Sequence, residues 1–416
     1  MADSISYSFV SKKDCFTNKK LELLQTKHEN TTIPPAVSFK VIKGSMTANN
    51  KFYWSFGEKP PFNFNKCYPV DGKASTLVDN KDTPIGNDYM SPVVWGIAEV
   101  TSTTIEGVEV GAQYLGLLPI GDSISFAKAS LKKEDGSIVV DRPTFAAYNS
   151  FNKIESDTAM STSCEYSDLA LVCFPGIVTG HGLYFRMLEQ SCYGANAIVI
   201  TSASSKVALA MALYMSNDPD KKFENIPIIG YTSNNNMQFC KQTGLYDSLL
   251  TYNDILPPGK KYVVVDIAGR ADVYTRNKNE EGVDINKLLV VGNSSGIEDK
   301  KGTFSAFTTY AKMKMIMGMM GLPPRLHSWM PRPTQELYLI WEDMAAMEKK
   351  WGKDKLKEVQ KESSFTFCKA AKEWMSIREA KTEEEIGKAF VDILEGSVPP
   401  SEIIALDIGQ AVANRK

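Results

Sequence analysis

Past about residue 165 the chain settles into one rhythm, in which short apolar runs bounded by polar turns alternate with helical stretches. Its clearest unit is "ANAIVITSASSKVALAMALYM" at 195–215, a strand that runs through a short polar turn into a helix. "IPIIGYTS" then reads as a strand, "NNMQFCKQTG" as a helix stopped by Gly244, and "DSLLTY", "KYVVVDIAG" and "KLLVVGNS" as further strands. Each run is apolar at nearly every position, which a parallel strand covered on both faces needs and a strand with one wet face does not. The pattern predicts a doubly wound parallel α/β sheet.

The flanks differ. Residues 1–150 are rich in β-formers, glycines and prolines, and runs such as "VSFKVIKG", "KFYWSFG" and "VVWGIAEVTSTTIEGVEVGAQYLGLLPIG" predict a small antiparallel barrel or sandwich. In the last run a strand ends before Glu106-Gly107, and Gly111 is expected to allow a close backbone approach at a barrel corner. From about 334 the chain reads as helical, with "TQELYLIWEDMAAMEKKWG" and "KTEEEIGKAFVDILEG" as its clearest segments. In the second, Thr382 and Glu385 form a capping box, Ile386, Phe390, Ile393 and Leu394 share a face, and Gly396 is a C-terminal cap. The Met-rich "AKMKMIMGMMGLPP" at 311–324 reads as a packed helix. The expected domains are a barrel over 1–155, a nucleotide-binding sheet over 156–320 and a helical extension over 321–416 that packs back on the barrel.

With 47 basic against 49 acidic side chains and a net charge of −2, the chain lacks the basic face that nucleic acid requires. No apolar run approaches the ~20 residues of a membrane span, and "MADSISYSFVSKKDCF" lacks the pattern of a secretory leader, so a soluble, cytoplasmic protein is expected. The seven cysteines are widely spaced without a CxxC, which argues for reduced thiols and against a thiolate zinc site. The histidines at 28, 181 and 327 form no metal-binding pair, and so few lower the odds of a Ser/His/Asp hydrolase. His181 in "VTGHGLYF" is either a structural residue or a proton relay.

The turn after the first strand of the α/β rhythm decides whether that sheet binds anything. A dinucleotide turn wants glycines, and this one holds Ser202, Ala203, Ser204, Ser205 and Lys206. Serine hydroxyls can donate to phosphate oxygens, the helix N-terminus favours an anion, and Lys206 adds a charge, so the segment reads as a phosphate cradle. The competing reading is that the serines only cap the helix. At the end of the second strand stand Thr232, Ser233 and Asn234 with no acid, which removes repulsion against a 2′-phosphate and favours NADP(H), with Lys241 as a possible helper.

The order of an antiparallel domain followed by a nucleotide-binding sheet resembles the medium-chain dehydrogenase/reductases. The resemblance is carried by "SPVVWGIAEVTSTTIEGVEVGAQYLGLLP", "GANAIVITSASSKVALA", "IPIIGYTSNNNMQFCKQTGLYDSLLTYNDI", "YVVVDIAG" and "LLVVGNSSG", and covers about 90–296. Over nearly the full length the chain is similar to a quinone-oxidoreductase-like branch known only as a domain of unknown function, through "SASSK", "RPTFAAYNSF" (142–151) and the tail "KKWG…EWMSI…LEGSVPPSEI". The resemblance implies a GroES-like barrel beside a Rossmann-type sheet. The quinone-reductase turn maps onto Ala203, Ser205 and Ala208, with serine and alanine where that pattern has glycines, and the zinc-holding cysteines of alcohol dehydrogenases have no counterpart.

It further implies a zinc-free oxidoreductase that passes hydride between NADP(H) and a hydrophobic enone, quinone or ketone. Tyr252, Gly292 and Asn293 match positions flanking the ribose and nicotinamide. A proton donor is then needed, and Tyr148 in "FAAYNSF", with Asn149 as an orienting or oxyanion-binding partner, is the candidate, against a plain packing role; Trp95 and His181 are reserves. The expected partner is a small hydrophobic substrate, with a homodimer through an edge strand as the resemblance-based expectation. The alternative is a retired enzyme serving as scaffold or subunit of a larger assembly, docking through a tail that carries Trp341 and Trp351; a non-redox lyase or isomerase has no residue in its favour.

Overall fold

The computed structural model describes residues 4–28, 34–60, 62–81, 85–144, 146–292 and 335–415. The Met-rich stretch at 311–324, His327 and Asn293 lie outside the described residues. Two compact units divide the chain: Met1–Val172 with Ala371–Lys416, and Cys173–Ala370.

The first unit is built from β1 (Ser4–Lys12), α1 (Cys15–Asn18), β2 (Glu22–His28), β3 (Val37–Met46), α2 (Asn50–Ser55), β4 (Ser75–Leu77), β5 (Tyr89–Met90), β6 (Val93–Thr103), β7 (Gln113–Pro119), β8 (Ser123–Phe126), β9 (Ala129–Lys132), β10 (Ser137–Val140) and β11 (Ser150–Lys153). Along β3, Val37, Phe39 and Val41 are buried while Ser38 and Lys40 between them are not, the period-two signature of a sheet with one face on a core. β6 and β7 pair antiparallel across a turn whose Gly111 has φ +89°, with nothing within 4 Å of where a Cβ would stand. The left-handed backbone, and not the expected close approach, is what calls for glycine there.

The second unit opens within α3 (Ser167–Glu189) and runs through β12 (Ala197–Ile200), α4 (Lys206–Ser216), β13 (Ile228–Thr232), α5 (Met237–Thr243), β14 (Ser248–Thr251), β15 (Lys260–Asp266), α6 (Ala271–Asn277), β16 (Val283–Val290), β17 (Gln335–Leu337), α7 (Ile340–Trp351) and most of α8 (Lys353–Trp374). All six strands are parallel, in the order β14-β13-β12-β15-β16-β17. The chain winds outward from β12 to one edge, then returns to β15 and winds to the other, so the topological switch lies between β12 and β15. β12 is fully buried along its length, as the unbroken apolar run requires. A Cβ on Gly176 would stand 2.7 Å from the Cβ of Lys206, so glycine there lets α3 lie directly on the start of α4. At the other edge Arg186 of α3 bonds Asp343 at 2.7 Å and Glu336 at 2.8 Å, and Lys287 reaches Glu336 at 2.7 Å, pinning β17 and α7 to the sheet.

The C-terminal stretch departs from a purely helical extension. It contains β18 (Ser376–Ala380), α9 (Glu383–Glu395), β19 (Glu402–Leu406) and α10 (Ile408–Ala411), with β19 antiparallel to β3 and β18 parallel to β19. Residues 371–416 thereby extend the first unit's sheet, and Ile386, Phe390, Ile393 and Leu394 of α9 enter its core. The bounds of the two compact units fall inside α3 and α8, where a continuous helix carries no turn signal, and the expected bound at 320/321 lies outside the described residues. By length and composition α3 could cross a membrane, at a mean hydropathy of 1.3, but 67% of that window is buried within the protein, as in a core helix.

Candidate functional site at the topological switch

Thr201 follows β12 and Asp266 ends β15, so the two face each other where the winding reverses. The Thr201 hydroxyl donates to Asp266 Oδ1 at 2.7 Å and accepts the Ile267 N–H at 3.0 Å. Asp266 Oδ1 also accepts the Arg270 N–H at 2.8 Å. Burial pushes the Asp266 carboxyl up, against the pull of Thr201 and nearby backbone N–H groups. This buried clasp ties the ends of the two strands that frame the switch.

The next residue, Ser202, has φ 52°, a left-handed conformation in which glycine is the usual choice. The turn thus keeps a glycine-like backbone with a serine side chain. Ser202 N–H donates to the Tyr252 hydroxyl at 3.2 Å, and its own hydroxyl lies 3.3 Å from the same atom. Ala203 faces inward, with its N–H on Tyr231 O at 2.9 Å and its carbonyl accepting the Tyr246 hydroxyl at 2.7 Å. Ser204 Oγ receives the Asn236 amide at 3.0 Å. Ser205 is the N-cap of α4, its hydroxyl accepting the Ala208 N–H at 3.3 Å, so the helix-cap reading holds for this one serine. Ala208 is fully buried.

Lys206 begins α4 on the side packed against Gly176 of α3. Its charge is felt by the buried Cys173 thiol, which stands at about 12 because burial raises it further than Lys206 lowers it. On the Tyr252 side the cation is Arg270, whose guanidinium carbon lies 3.8 Å from the Tyr252 ring centroid. Arg276 donates to the Tyr252 carbonyl. Burial raises the Tyr252 phenol, with Ser202 and Arg270 opposing, so it stays protonated at neutral pH.

Thr232 is 1% exposed and sits beneath the surface, while Ser233 is half-buried and Asn234 exposed. Lys241 is exposed in the last turn of α5. At the end of β16, a Cβ on Gly292 would come 2.6 Å from the Ile267 carbonyl, so this backbone and the loop after β15 close up tightly. The structure therefore brings Ser202, Ser204, Ser205, Tyr252 and Gly292 to one end of the sheet and adds Asn236 and Arg270, which sequence reasoning missed. A lone arginine after "VVVDIAG" has no spacing to betray it. The donors and cations of this end suit phosphate oxygens.

Tyr148 and Asn149 belong to the first unit. Tyr148 sits edge-on to Phe64 at 5.1 Å and to Tyr53 at 5.9 Å, with Trp95 at 6.2 Å, and burial pushes its phenol well above the usual tyrosine value. Trp95 Nε1 donates to the Tyr53 hydroxyl at 2.9 Å. Asn149 accepts from Arg142 Nε at 3.2 Å and donates to the Arg142 carbonyl at 3.0 Å, so its amide fastens the loop that carries Tyr148. His181 is buried among Tyr184, Tyr214 and Trp351, and desolvation lowers it to about 4. All seven cysteines are free and six are buried. Among the described residues no group of three or more His, Cys, Asp or Glu is placed to hold a metal ion.

No curated protein sequence matches the chain. Among the solved structures that share its fold, the Vibrio vulnificus protein CurA, crystallised with NADPH, is 13% identical over 92% of this chain and 94% of its own, with a TM-score of 0.51. A Bacillus thuringiensis protein assigned as an NADPH:quinone reductase is 10% identical over 97% of this chain and 99% of its own, also with a TM-score of 0.51. The likeness shows the fold, a GroES-like antiparallel unit and a Rossmann-type parallel sheet. Within that architecture, a family profile matches residues 45–399, and the chain belongs to the family it describes, protein of unknown function (DUF2855).

Proposed function

We propose that the protein is an NADP(H)-dependent, zinc-free oxidoreductase that transfers hydride to or from a hydrophobic enone, quinone or ketone. The observation that carries this reading is the left-handed Ser202 turn at the switch between β12 and β15, with serine donors and Arg270 about it and no carboxylate at the end of β13. Ser202, Ser204 and the α4 N-terminus with Lys206 hold the phosphates, and Ser233, Asn234, Tyr252 and Gly292 line the remainder of the nucleotide. The shared fold of CurA, whose crystals contain NADPH, supports the choice of cofactor. A bound nicotinamide supplies the hydride. Tyr148 supplies a proton as a neutral phenol, and Asn149 holds its loop.

One observation favours a second reading, a retired enzyme used as a scaffold: the hydroxyls of Ser202, Ser204 and Ser205 already have protein partners. Titration with NADPH and NADH, followed by a screen of enones and quinones for loss of reduced nicotinamide, separates the two. The enzyme reading expects NADPH to bind in preference and to be consumed with substrate. Tyr148→Phe then lowers turnover by about a hundredfold or more at undiminished NADPH affinity. Unchanged turnover removes Tyr148 as the donor, and no binding of either nucleotide leaves the scaffold.

A further inference from the structure

Resting on the NADP(H) reading above, we propose that Arg270 is the residue that selects the 2′-phosphate, with its charge supplied from the loop after β15 and not from the loop after β13. In sheets of this winding the ribose of the adenosine meets the end of the second strand, where an acid selects NAD and an arginine nearby accommodates the phosphate of NADP. Here that strand is β13, and Thr232, Ser233 and Asn234 carry neither sign of charge. The missing cation arrives through Tyr252. Its hydroxyl touches Ser202 at 3.2 Å, and its ring stacks on Tyr231 of β13 at 6.4 Å and 16°, so the ring spans from β14 past the end of β13 to the first turn. Arg270 lies against that ring at 3.8 Å, so the guanidinium shares the Tyr252 ring with the Ser202 turn, which the Tyr252 hydroxyl touches, and with Tyr231 near the end of β13.

Its mounting suits a selector. The Arg270 backbone N–H is fixed on Asp266 at 2.8 Å, while its head is bonded to Asp272 at 3.0 Å through both Nε and Nη2. That pair is 32% and 46% exposed, a weak surface ion pair that a phosphate dianion can displace or share. A guanidinium has five N–H donors, of which Asp272 takes two, and contact with the Tyr252 ring at 3.8 Å helps hold the group in place. Lys206 opens α4 beside the Ser202 turn and can serve the phosphates common to both cofactors, so the two cations divide the work.

The test is calorimetric titration of the full chain with NADPH and with NADH, for wild type, Arg270→Ala and Arg270→Lys. The expected result is that the preference for NADPH falls about tenfold or more in Arg270→Ala, with Arg270→Lys between. The same loss for both nucleotides, leaving the preference intact, would overturn the assignment. Unliganded melting confirms that each variant folds, and Asp272→Asn provides a second arm in which releasing Arg270 sharpens the preference; an unchanged ratio there also counts against it. Wild-type protein that binds both nucleotides equally overturns the preference alone, whereas wild-type protein that binds neither overturns the NADP(H) reading itself.

Discussion

The turn after β12 works because one buried hydroxyl satisfies two neighbours. Thr201 Oγ1 donates to Asp266 and accepts from Ile267, in a place from which water is excluded. Thr201→Val keeps the shape and removes both bonds, so chemical denaturation is expected to show a loss of about 1–3 kcal/mol, and a loss under about 0.5 kcal/mol would mean the clasp is not needed. At this scale the sequence was legible where the residue type and its neighbours along the chain suffice. The serines of 202–205 and the uncharged end of the second strand are of that kind. It was silent where a contact needs the fold: Asn236 on Ser204 and Arg270 on Tyr252 join residues from different βα units. Asn149 shows the reverse, since its suspected oxyanion role competes with a fastening on Arg142 that only coordinates reveal.

Among the elements, capped helices were the most readable. Thr382 and Glu385 form the capping box of α9, and Gly396 ends it at φ 72°. The strands "SIREA" and "EIIAL" were hidden, because a five-residue run has no clear period, and "SIREA" pairs with "EIIAL", whose other partner, β3, is hundreds of residues away in sequence. Helix α3 carries its own test. His181 is held at about 4 by burial alone, against 6.5 for an open imidazole. The unfolded chain therefore takes up a proton first as pH falls. Stability is full above about pH 6.5 and declines toward pH 4, by on the order of 3 kcal/mol for this group. Urea unfolding across that range should show a decline that His181→Phe lacks, whatever the variant's absolute stability. The difference between the two curves isolates His181 from buried Asp266, whose raised carboxyl acts in the opposite sense. Parallel curves would contradict the account.

For the whole molecule, the alternation of apolar runs and helices announced the doubly wound sheet, since burial on both faces leaves its mark on every position of each strand. The order of those strands could not be read, because winding outward and then returning is a property of pairing, and it is this order that puts the Ser202 turn at the switch. The division into units was hidden for a related reason, as long helices cross both boundaries. The central claim is that this turn holds NADP(H). Its most direct test is the melting temperature of the purified protein with NADPH, with NADH and without nucleotide, at low and moderate salt. Binding at a hundred times the dissociation constant stabilises the folded state by about 2.7 kcal/mol. The account predicts a clear upward shift with NADPH, a smaller one with NADH, and a gap between them that narrows as salt rises; no shift with either nucleotide would contradict it.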